Sequence, residues 1–577
     1  MADPTDTRPP PALSRGEKLW VSLLFGGLFA LVVYLVLRFE LDPGHGPSPR
    51  LPWRNGRLIH DDILVLMMGG CAYGALGVIG WGLWRRFSRG TGRWMRRAAK
   101  VALTIGVLVT GFVYFYGQQG LYASQFAHRW DTFHYLLGPR YYAELDYDDL
   151  YACALRDIPD RLIDDDWRTR DLRTYRMTTV GKIREQKLCE DNFTPERRER
   201  WKKDLELFTV NGGYRVLKGA IEDRGYNGTP FHSAVAGFIA DHIPLTQATH
   251  QMVPLLDIGM LSLMLTVVTW SFGWELGLVL ALFFFTNAAD RFGIIGGSFF
   301  RYQWLVTLAI GLSALRRGRY ALAGVFMALS TLLNVFPVVF SAGILVRGVA
   351  DWVKTRRLPR RLVRFVVAAT ITGLLGLGVG LLPARHLGNY TGWIENMEHH
   401  NVERFQGFGT GLKFPFIYKG HNTAKTDRFP ESQRKKWFHE VRPWYRALAT
   451  VVLGLALAFA ARTDDDVEAA TVLGFTIFFS VLGTVGYYFA VACVVVMAFH
   501  KRGRTLGGAV MLGLFFVSSL LAHLAFYETH YYRFMYNTVL STAWSVWLIL
   551  LLLWLTWTVT VPSFRRPAAA PALDAGP

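Results

Sequence analysis

Charge-poor runs of roughly 11 to 22 residues recur along the whole chain, and about twenty residues in an α-helix span a bilayer core. In a chain that is 51% hydrophobic, this recurrence predicts an all-α polytopic membrane protein. The longer runs lie at residues 19–37, 63–84, 101–116, 252–270, 276–286, 303–315, 362–382, 447–461, 469–483, 509–526 and 540–559. Two shorter runs, 322–333 and 336–346, are joined around Asn334 and Pro337.

The net charge of +19 is concentrated in short Lys- and Arg-rich clusters beside the apolar runs. Clusters in short loops indicate the cytoplasmic side of a membrane protein, whereas nucleic-acid binding would need a basic stripe or a recognised motif, and neither is present. We therefore interpret the clusters as orientation signals. They lie at residues 85–97, 316–319, 356–361, 501–504 and 565–566.

The spacing of these clusters predicts two hairpins. If clusters 316–319 and 356–361 are both cytoplasmic, the stretch between them must enter the membrane and return to the same side. Two half-length segments that turn at Asn334 and Pro337 would do this. Similarly, 469–483 and 490–499 form a hairpin turning at 486–488. We expect about 12–14 transmembrane segments, with both termini cytoplasmic, and buried turns that line a polar cavity or pack on protein.

The long polar loops then fall on the extracytoplasmic side, which makes that side the working face. A charged helix should begin near Pro195, and the short apolar segment 231–243 should lie at the membrane interface. Cys153 and Cys189 share the first loop and are expected to pair if it faces an oxidising compartment. The predicted regions are a tail with two extra helices (1–100), a helix with the large loop (101–250), core helices (251–383), a second loop (384–444), C-terminal helices (445–563) and a cytoplasmic tail (564–577).

The segment 129–151 of the first loop carries the strongest candidate for chemistry. It starts shortly after an apolar run and places Asp131 among Trp130, Phe133 and Tyr135. Partial desolvation near the bilayer raises the pKa of a carboxylate toward working pH, so that Asp131 is a candidate general base. His134 is the alternative.

Three stretches resemble the GT-C superfamily of membrane glycosyltransferases, most closely the bacterial branch that includes polyprenyl-phosphate-mannose-dependent mannosyltransferases. The first is Asp131 with the aromatic residues after it and the Tyr147-Asp pair downstream. The second is Tyr226-Asn-Gly-Thr-Pro before an apolar segment, and the third is the Arg-rich turn, Ala-Gly helix and Asn334-Val-Phe-Pro break within 297–337. Asn334 stands where a lysine is frequent in relatives, and two segments (19–84) precede the similar region.

The resemblance implies a GT-C-like fold and an inverting transfer of a sugar from a polyprenyl-phosphate donor to a lipid or glycan acceptor on the extracytoplasmic face of the cell (inner) membrane. Asp131 fits the base that such a displacement needs, and cations must hold the leaving phosphate. The candidates for the phosphate are Arg291, Arg301 and Arg442. The candidates for the acceptor or sugar are Tyr135, Glu144, Asp148 and Tyr226.

Alternatives remain at the level of sequence. A divalent metal such as Mg or Mn is possible as a helper for the phosphate, but no recognised ligand spacing is present. A lipid or solute transporter or flippase would need ionisable residues near the membrane midplane, which are few here. A noncatalytic cell-envelope assembly subunit would leave Asp131, Arg291 and Arg301 unrelated in space.

Overall fold

The computed structural model describes residues 13–40, 58–87, 92–117, 126–209, 213–290, 295–383, 388–401, 409–417, 431–529 and 533–560. Arg291, together with the tail predicted at 564–577, lies outside these ranges. Three long helices come first, α1 (Arg15–Leu35), α2 (Leu58–Phe87) and α3 (Arg93–Phe112).

A loop region of short elements follows the third helix. Its helices are α4 (Arg129–Thr132), α5 (Gly138–Arg140), α6 (Tyr142–Leu145), α7 (Leu150–Asp157), α8 (Val180–Glu185), α9 (Pro195–Thr209), α10 (Gly213–Ala220), α11 (Pro230–Asp241) and α12 (Gln247–Met252). A wider π-helical turn, Phe133–Leu137, connects α4 to α5. Strands β1 (Arg168–Arg170) and β2 (Met177–Thr179) pair antiparallel, with Thr169 opposite Thr178.

The remaining helices complete the bundle. They are α13 (Pro254–Phe272), α14 (Trp274–Thr286), α15 (Gln303–Arg316), α16 (Tyr320–Leu333), α17 (Val339–Thr355), α18 (Arg360–Val379), α19 (Gly388–Asn401), α20 (Phe414–Ile417), α21 (Glu431–Arg462), α22 (Asp466–Ile477), α23 (Phe499–Arg502), α24 (Leu506–Glu528) and α25 (Arg533–Thr560). Within the described ranges, nine helices are long and apolar enough to cross a membrane, and α14 and α16 are shorter apolar helices. The chain is an all-α multi-pass membrane protein.

The predicted break at Asn334 and Pro337 is present. α16 ends at Leu333, Asn334 is extended, and a 3₁₀ turn over Phe336–Val338 leads into α17. Proline lacks the backbone N–H that a continuous helix needs, so the chain turns here and returns as α17. The result is a hairpin whose tip lies among the helices.

The second predicted hairpin has an unusual return segment. The chain turns after Leu482, and residues Gly486–Ala498 form a buried 3₁₀-helix of 13 residues. Runs of this helix longer than three or four residues are uncommon. Because a 3₁₀-helix rises about 2.0 Å per residue, this short segment covers about 26 Å, which is most of a bilayer core.

The basic clusters that the structure describes, at residues 85–87, 92–97, 316–319, 356–361 and 501–504, gather at one end of the bundle, which we call the basic end, and cluster 565–566 lies outside the described residues. There Arg85 pairs with Glu275 at 2.6 Å, and the Lys100 ammonium lies 3.9 Å from the Trp20 ring. Arg502 pairs with the buried Glu468 at 3.1 Å. The loop region and the hairpin tips therefore lie at the opposite end, called the site end below.

The loop region has its own core and a covalent link. Cys153 of α7 and Cys189 form a disulfide across 36 residues of chain, the pair that the sequence singles out. Trp201 of α9 is fully buried and donates its indole N–H to Asp157. The disulfide links α7 to the residues just before α9, and the hydrogen bond of Trp201 links α9 to the end of α7.

Removing the disulfide is expected to loosen the loop region. A crosslink closing a loop of this length contributes about 4 kcal/mol through the entropy of the unfolded segment. The Cys153→Ser/Cys189→Ser double variant should therefore be cleaved at least ten times faster between α7 and α9 in limited proteolysis. Equal cleavage rates with and without the bond would contradict this.

Candidate active site

Asp131 lies in the first turn of α4 and is positioned by the residue before that helix. The backbone N–H of Asp131 donates to Nδ1 of His128 at 3.2 Å, and the backbone N–H of His128 donates to the Gly297 carbonyl at 2.6 Å. Burial lowers the pKa of His128 below its usual value, so that Nδ1 remains an acceptor. The contact with Gly297 brings Asp131 to the turn before α15.

That turn carries Arg301, which pairs with Asp131. Nε of Arg301 lies 3.3 Å from Oδ2 of Asp131, and their side chains are 6% and 14% exposed. The guanidinium also lies 3.5 Å from the centre of the Tyr135 ring. Burial by itself lowers the pKa of Arg301. Its interactions with Asp131 and Tyr135 have the opposite effect and outweigh burial, so that the pKa lies well above its usual value. Arg301 is therefore a permanent buried cation.

The backbone at Arg301 is held by several side chains at once. Phe300 has a φ of 56°, an uncommon conformation for a bulky residue. His232 Nε2 donates to its carbonyl at 3.1 Å, and the Gln303 amide donates to the same oxygen. Both carboxylate oxygens of Asp257 accept the Arg301 N–H at 3.2 Å. Strain of about 1–3 kcal/mol at such a position persists only when its surroundings fix it, and this is common at functional sites.

The tautomer and charge of His232 follow from its contacts. Nδ1 lies 2.7 Å from the Tyr226 hydroxyl and accepts a hydrogen bond from it, because Nε2 is already the donor to the Phe300 carbonyl. Burial lowers the pKa of His232 to about 4. The imidazole is neutral near neutral pH and serves as a fixed hydrogen-bond bridge.

A small cavity of about 90 Å³, open on one side, lies beside this turn. Among the described residues that line it, Arg301 is the one that carries a charge. The other lining residues are polar or apolar without charge: Tyr135, Asn227, Gly228, Thr229, His232, Ile295, Phe300, Gln303, Trp304, Leu333, Asn334, Val335, Trp393, Met397 and Tyr488. Asp131 is not among the lining residues, and it contacts the Arg301 guanidinium from outside the lining.

Several buried polar atoms near the cavity have no hydrogen-bond partner within the described part of the chain. They include Oε1 of Gln303 and Nε1 of Trp393. An unsatisfied buried donor or acceptor costs about 1–3 kcal/mol, so that these atoms are suited to bonds with a ligand. Gln303 offers an acceptor and Trp393 a donor, which matches the hydroxyl groups of a neutral polar molecule.

One wall of the cavity borders the lipid-facing surface. Val335 lines the cavity and is 45% exposed, and Val338 on the next turn is 48% exposed. Both belong to the connection between α16 and α17, and exposed valines on a membrane helix bundle face hydrocarbon. The site thus combines a buried cation, neutral polar groups and an apolar side toward the bilayer.

The other candidates from the sequence lie in different surroundings. Tyr135 lines the cavity, whereas Tyr226 is buried behind it and bonds His232 and Ser233. His134 is buried with Nε2 at 2.7 Å from the Tyr151 hydroxyl, and it is not part of the lining. Its pKa is lowered by burial.

The remaining charged candidates do not converge on the cavity. Glu144 pairs with Arg197 at 2.6 Å in the loop region. Asp148 lies at the surface. The protein around it removes part of the water from its carboxylate, and this desolvation together with the charge of Asp146 raises its pKa to about 6. Arg442 lies on α21 and is not among the lining residues. Arg291 stands outside the described residues.

Within the described ranges, no three His, Cys, Asp or Glu side chains come together in a way that would hold a metal ion. No protein-family model, curated protein or solved structure matches this chain. The site is therefore interpreted from its own geometry.

Proposed function

We propose that this protein is a membrane glycosyltransferase, which moves a sugar from a polyprenyl-phosphate donor to an acceptor at the site end of the bundle. The pairing of Asp131 with Arg301, beside a cavity with an apolar wall toward lipid, carries this proposal. A polyprenyl chain needs contact with hydrocarbon, its phosphate needs a desolvated cation, and the sugar needs neutral donors and acceptors. The cavity offers all three.

In the proposed reaction, the acceptor oxygen attacks the anomeric carbon as the bond from that carbon to the phosphate oxygen breaks. In this proposal the acceptor hydroxyl approaches the exposed part of the Asp131 side chain, outside the cavity lining, and Asp131 takes its proton. Arg301 stabilises the negative charge that develops on the leaving phosphate inside the cavity. The Nε group of Arg301 faces Asp131, so that its two Nη groups, with four N–H donors, remain for the phosphate.

Direct transfer in a reconstituted system tests this function. Purified full-length protein in liposomes receives radiolabelled polyprenyl-phosphate hexose together with membranes from source cells in which the gene for this chain is deleted, which supply the acceptor. We expect label to leave the donor and appear in a product that depends on the protein. Label that stays in the donor with every hexose and pentose tried would contradict the proposal.

The site end of the proposed enzyme faces the extracytoplasmic side. Cysteines introduced at the two ends of the bundle should therefore differ in their reaction with a maleimide added outside the cell. Asp160 is 90% exposed in the loop region, and Arg504 is exposed at the basic end. The native Cys71 and Cys493 are buried and provide a low background. A membrane-impermeant maleimide applied to intact cells should label the Asp160→Cys variant and should label Arg504→Cys only after permeabilisation. The reverse pattern would place the site in the cytoplasm.

The indole N–H of Trp393 is expected to bond a sugar hydroxyl. Trp393→Phe removes that donor while it keeps most of the ring, and it should lower kcat/KM for the sugar donor about tenfold, the effect of one hydrogen bond. Trp444→Phe is the matched control, because Trp444 is 73% exposed on α21. Equal kinetics for both variants would exclude Trp393 from sugar binding.

A further inference from the structure

A second, larger hollow lies on the other side of α11. It has a volume of about 560 Å³ and is bounded by α11, by residues 139–143, by Arg197 and by the end of α18. α11 itself is fixed against residue 139, since a Cβ added to Gly237 would come within 2.5 Å of the Pro139 carbonyl oxygen. We call this hollow the α11 groove. It shares none of its lining residues with the cavity beside Arg301.

The mouth of the α11 groove is apolar and continuous with the lipid-facing surface. Phe238 is 69% exposed and Leu382 is 67% exposed on opposite sides of it. Beyond Leu382, the face of α18 is also exposed, with Leu374 and Leu375 at 65% and 68%. An exposed apolar face on a membrane-spanning helix is covered by acyl chains, so that a chain lying along α18 leads directly into the groove.

The polar end of the groove is made of ion pairs without excess charge. Arg197 is shared by Glu144 at 2.6 Å and Asp241 at 3.0 Å, and Arg200 also approaches Asp241 at 3.4 Å. Arg140 pairs with the buried Asp204 at 2.8 Å. These three arginines are balanced by three carboxylates, and the groove therefore has no net charge that would select an anionic head group.

Two of these groups are accessible to a ligand. The Arg197 side chain is 22% exposed and that of Asp241 is 40% exposed, whereas Arg140 is 2% exposed. Arg140 also donates to the Ala240 and Ile243 carbonyls, which end α11. Arg140 thus has a structural role, and the Arg197–Asp241 pair is the part of the groove that can meet a head group.

We propose that the α11 groove binds one zwitterionic phospholipid with a primary ammonium head group. Its acyl chain lies between Phe238 and Leu382, its phosphate meets Arg197, and its ammonium meets Asp241. A head group with both charges replaces the Arg197–Asp241 contact with two ion pairs, whereas a head group with a phosphate alone would leave Asp241 with only the longer contact to Arg200 at 3.4 Å. The lipid would support α11, which also carries Thr229 and His232 of the cavity.

Photolabelling of the full-length protein in nanodiscs tests this proposal. Phosphatidylethanolamine and phosphatidylglycerol, each with the same diazirine-bearing acyl chain, are compared by mapping the labelled peptides. We expect label on α11 and residues 379–383 to be at least fivefold higher with phosphatidylethanolamine. Equal labelling by the two lipids, or none at these residues, would overturn the proposal. The result does not depend on sugar transfer, and the groove can therefore fail this test while the proposed function stands.

Two variants sharpen the result. Ala234 lines the groove and is half-buried, so that Ala234→Trp fills the space and should reduce labelling at least fivefold. Leu76→Trp on the lipid-facing side of α2 is the matched control, since Leu76 is 73% exposed, and it should leave labelling of the groove unchanged. Asp241→Asn is a surface change that preserves folding, and it should abolish the preference for phosphatidylethanolamine. A preference that persists in Asp241→Asn, or unchanged labelling in Ala234→Trp, would contradict the assignment.

Discussion

Replacing Asp131 by asparagine is expected to slow sugar transfer about 10³-fold, which corresponds to about 4 kcal/mol in the activation barrier. Asparagine keeps the shape of the side chain but does not take up the proton of the acceptor hydroxyl. Its amide oxygen can still accept a hydrogen bond from Arg301, so that the amount of folded protein in the membrane should not change. Transfer assays on variants at equal abundance measure the effect.

Asp160→Asn provides the control for this substitution. Asp160 lies in the same loop region and is 90% exposed, and the same chemical change there should leave the rate within twofold of the unmodified protein. If Asp131→Asn transferred sugar at the normal rate, Asp131 would not be the base, and the proposed mechanism would have to be abandoned.

Removing the buried cation is expected to have an effect of similar size on transfer and an additional effect on stability. Arg301→Ala leaves the Asp131 carboxylate without its partner and opens a space above the Tyr135 ring. Breaking one side of a buried ion pair costs about 3–5 kcal/mol, to be reduced here because Asp131 keeps some solvent contact. We expect transfer to fall at least 10³-fold, with a lower midpoint of thermal unfolding.

Arg301→Lys separates the two effects. Lysine restores the charge next to Asp131 but lacks the planar group that stacks on Tyr135 and the fork of donors that suits a phosphate. The midpoint of unfolding should recover toward that of the native protein, while transfer stays about 100-fold low. A lysine variant with full activity would show that only the charge matters at this position.

The membrane architecture could be predicted largely from the sequence. Helix lengths follow from the thickness of the bilayer, and the break at Asn334 and Pro337 follows from the missing N–H of proline. The 3₁₀ conformation of Gly486–Ala498 could not be predicted, because its run of apolar residues fits an α-helix equally well. Packing against the surrounding helices determines the 3₁₀ conformation of this segment, and the local sequence does not determine it.

The site was only partly predictable. Asp131 and Arg301 were recognisable one at a time, because Asp131 lies among aromatic residues in the loop after an apolar run and Arg301 lies just before another apolar run. Their contact depends on His128 and Gly297, which belong to distant parts of the chain. Asp257 also had a signal in the sequence, since a carboxylate inside an apolar run is costly unless it is paired, and the structure pairs it with the Arg301 backbone.

The uncharged residues of the site could not be predicted from the sequence. Gln303 and Trp393 are common residue types without a diagnostic spacing, and their importance lies in buried atoms without a partner. Conversely, position alone does not give the direction of a side chain. His134 and Glu144 lie close to Asp131 in sequence, yet they face the Tyr151 hydroxyl and Arg197.

The affinity of the protein for polyprenyl phosphate tests the central claim most directly, since it asks whether the buried cation receives a lipid phosphate. Binding of this lipid to full-length protein in nanodiscs, followed by the change in tryptophan fluorescence, should be at least 30-fold weaker in Arg301→Lys and unchanged or tighter in Asp131→Asn. Equal affinity in the native protein and in Arg301→Lys would show that the phosphate binds elsewhere, and would contradict the role assigned to the cavity.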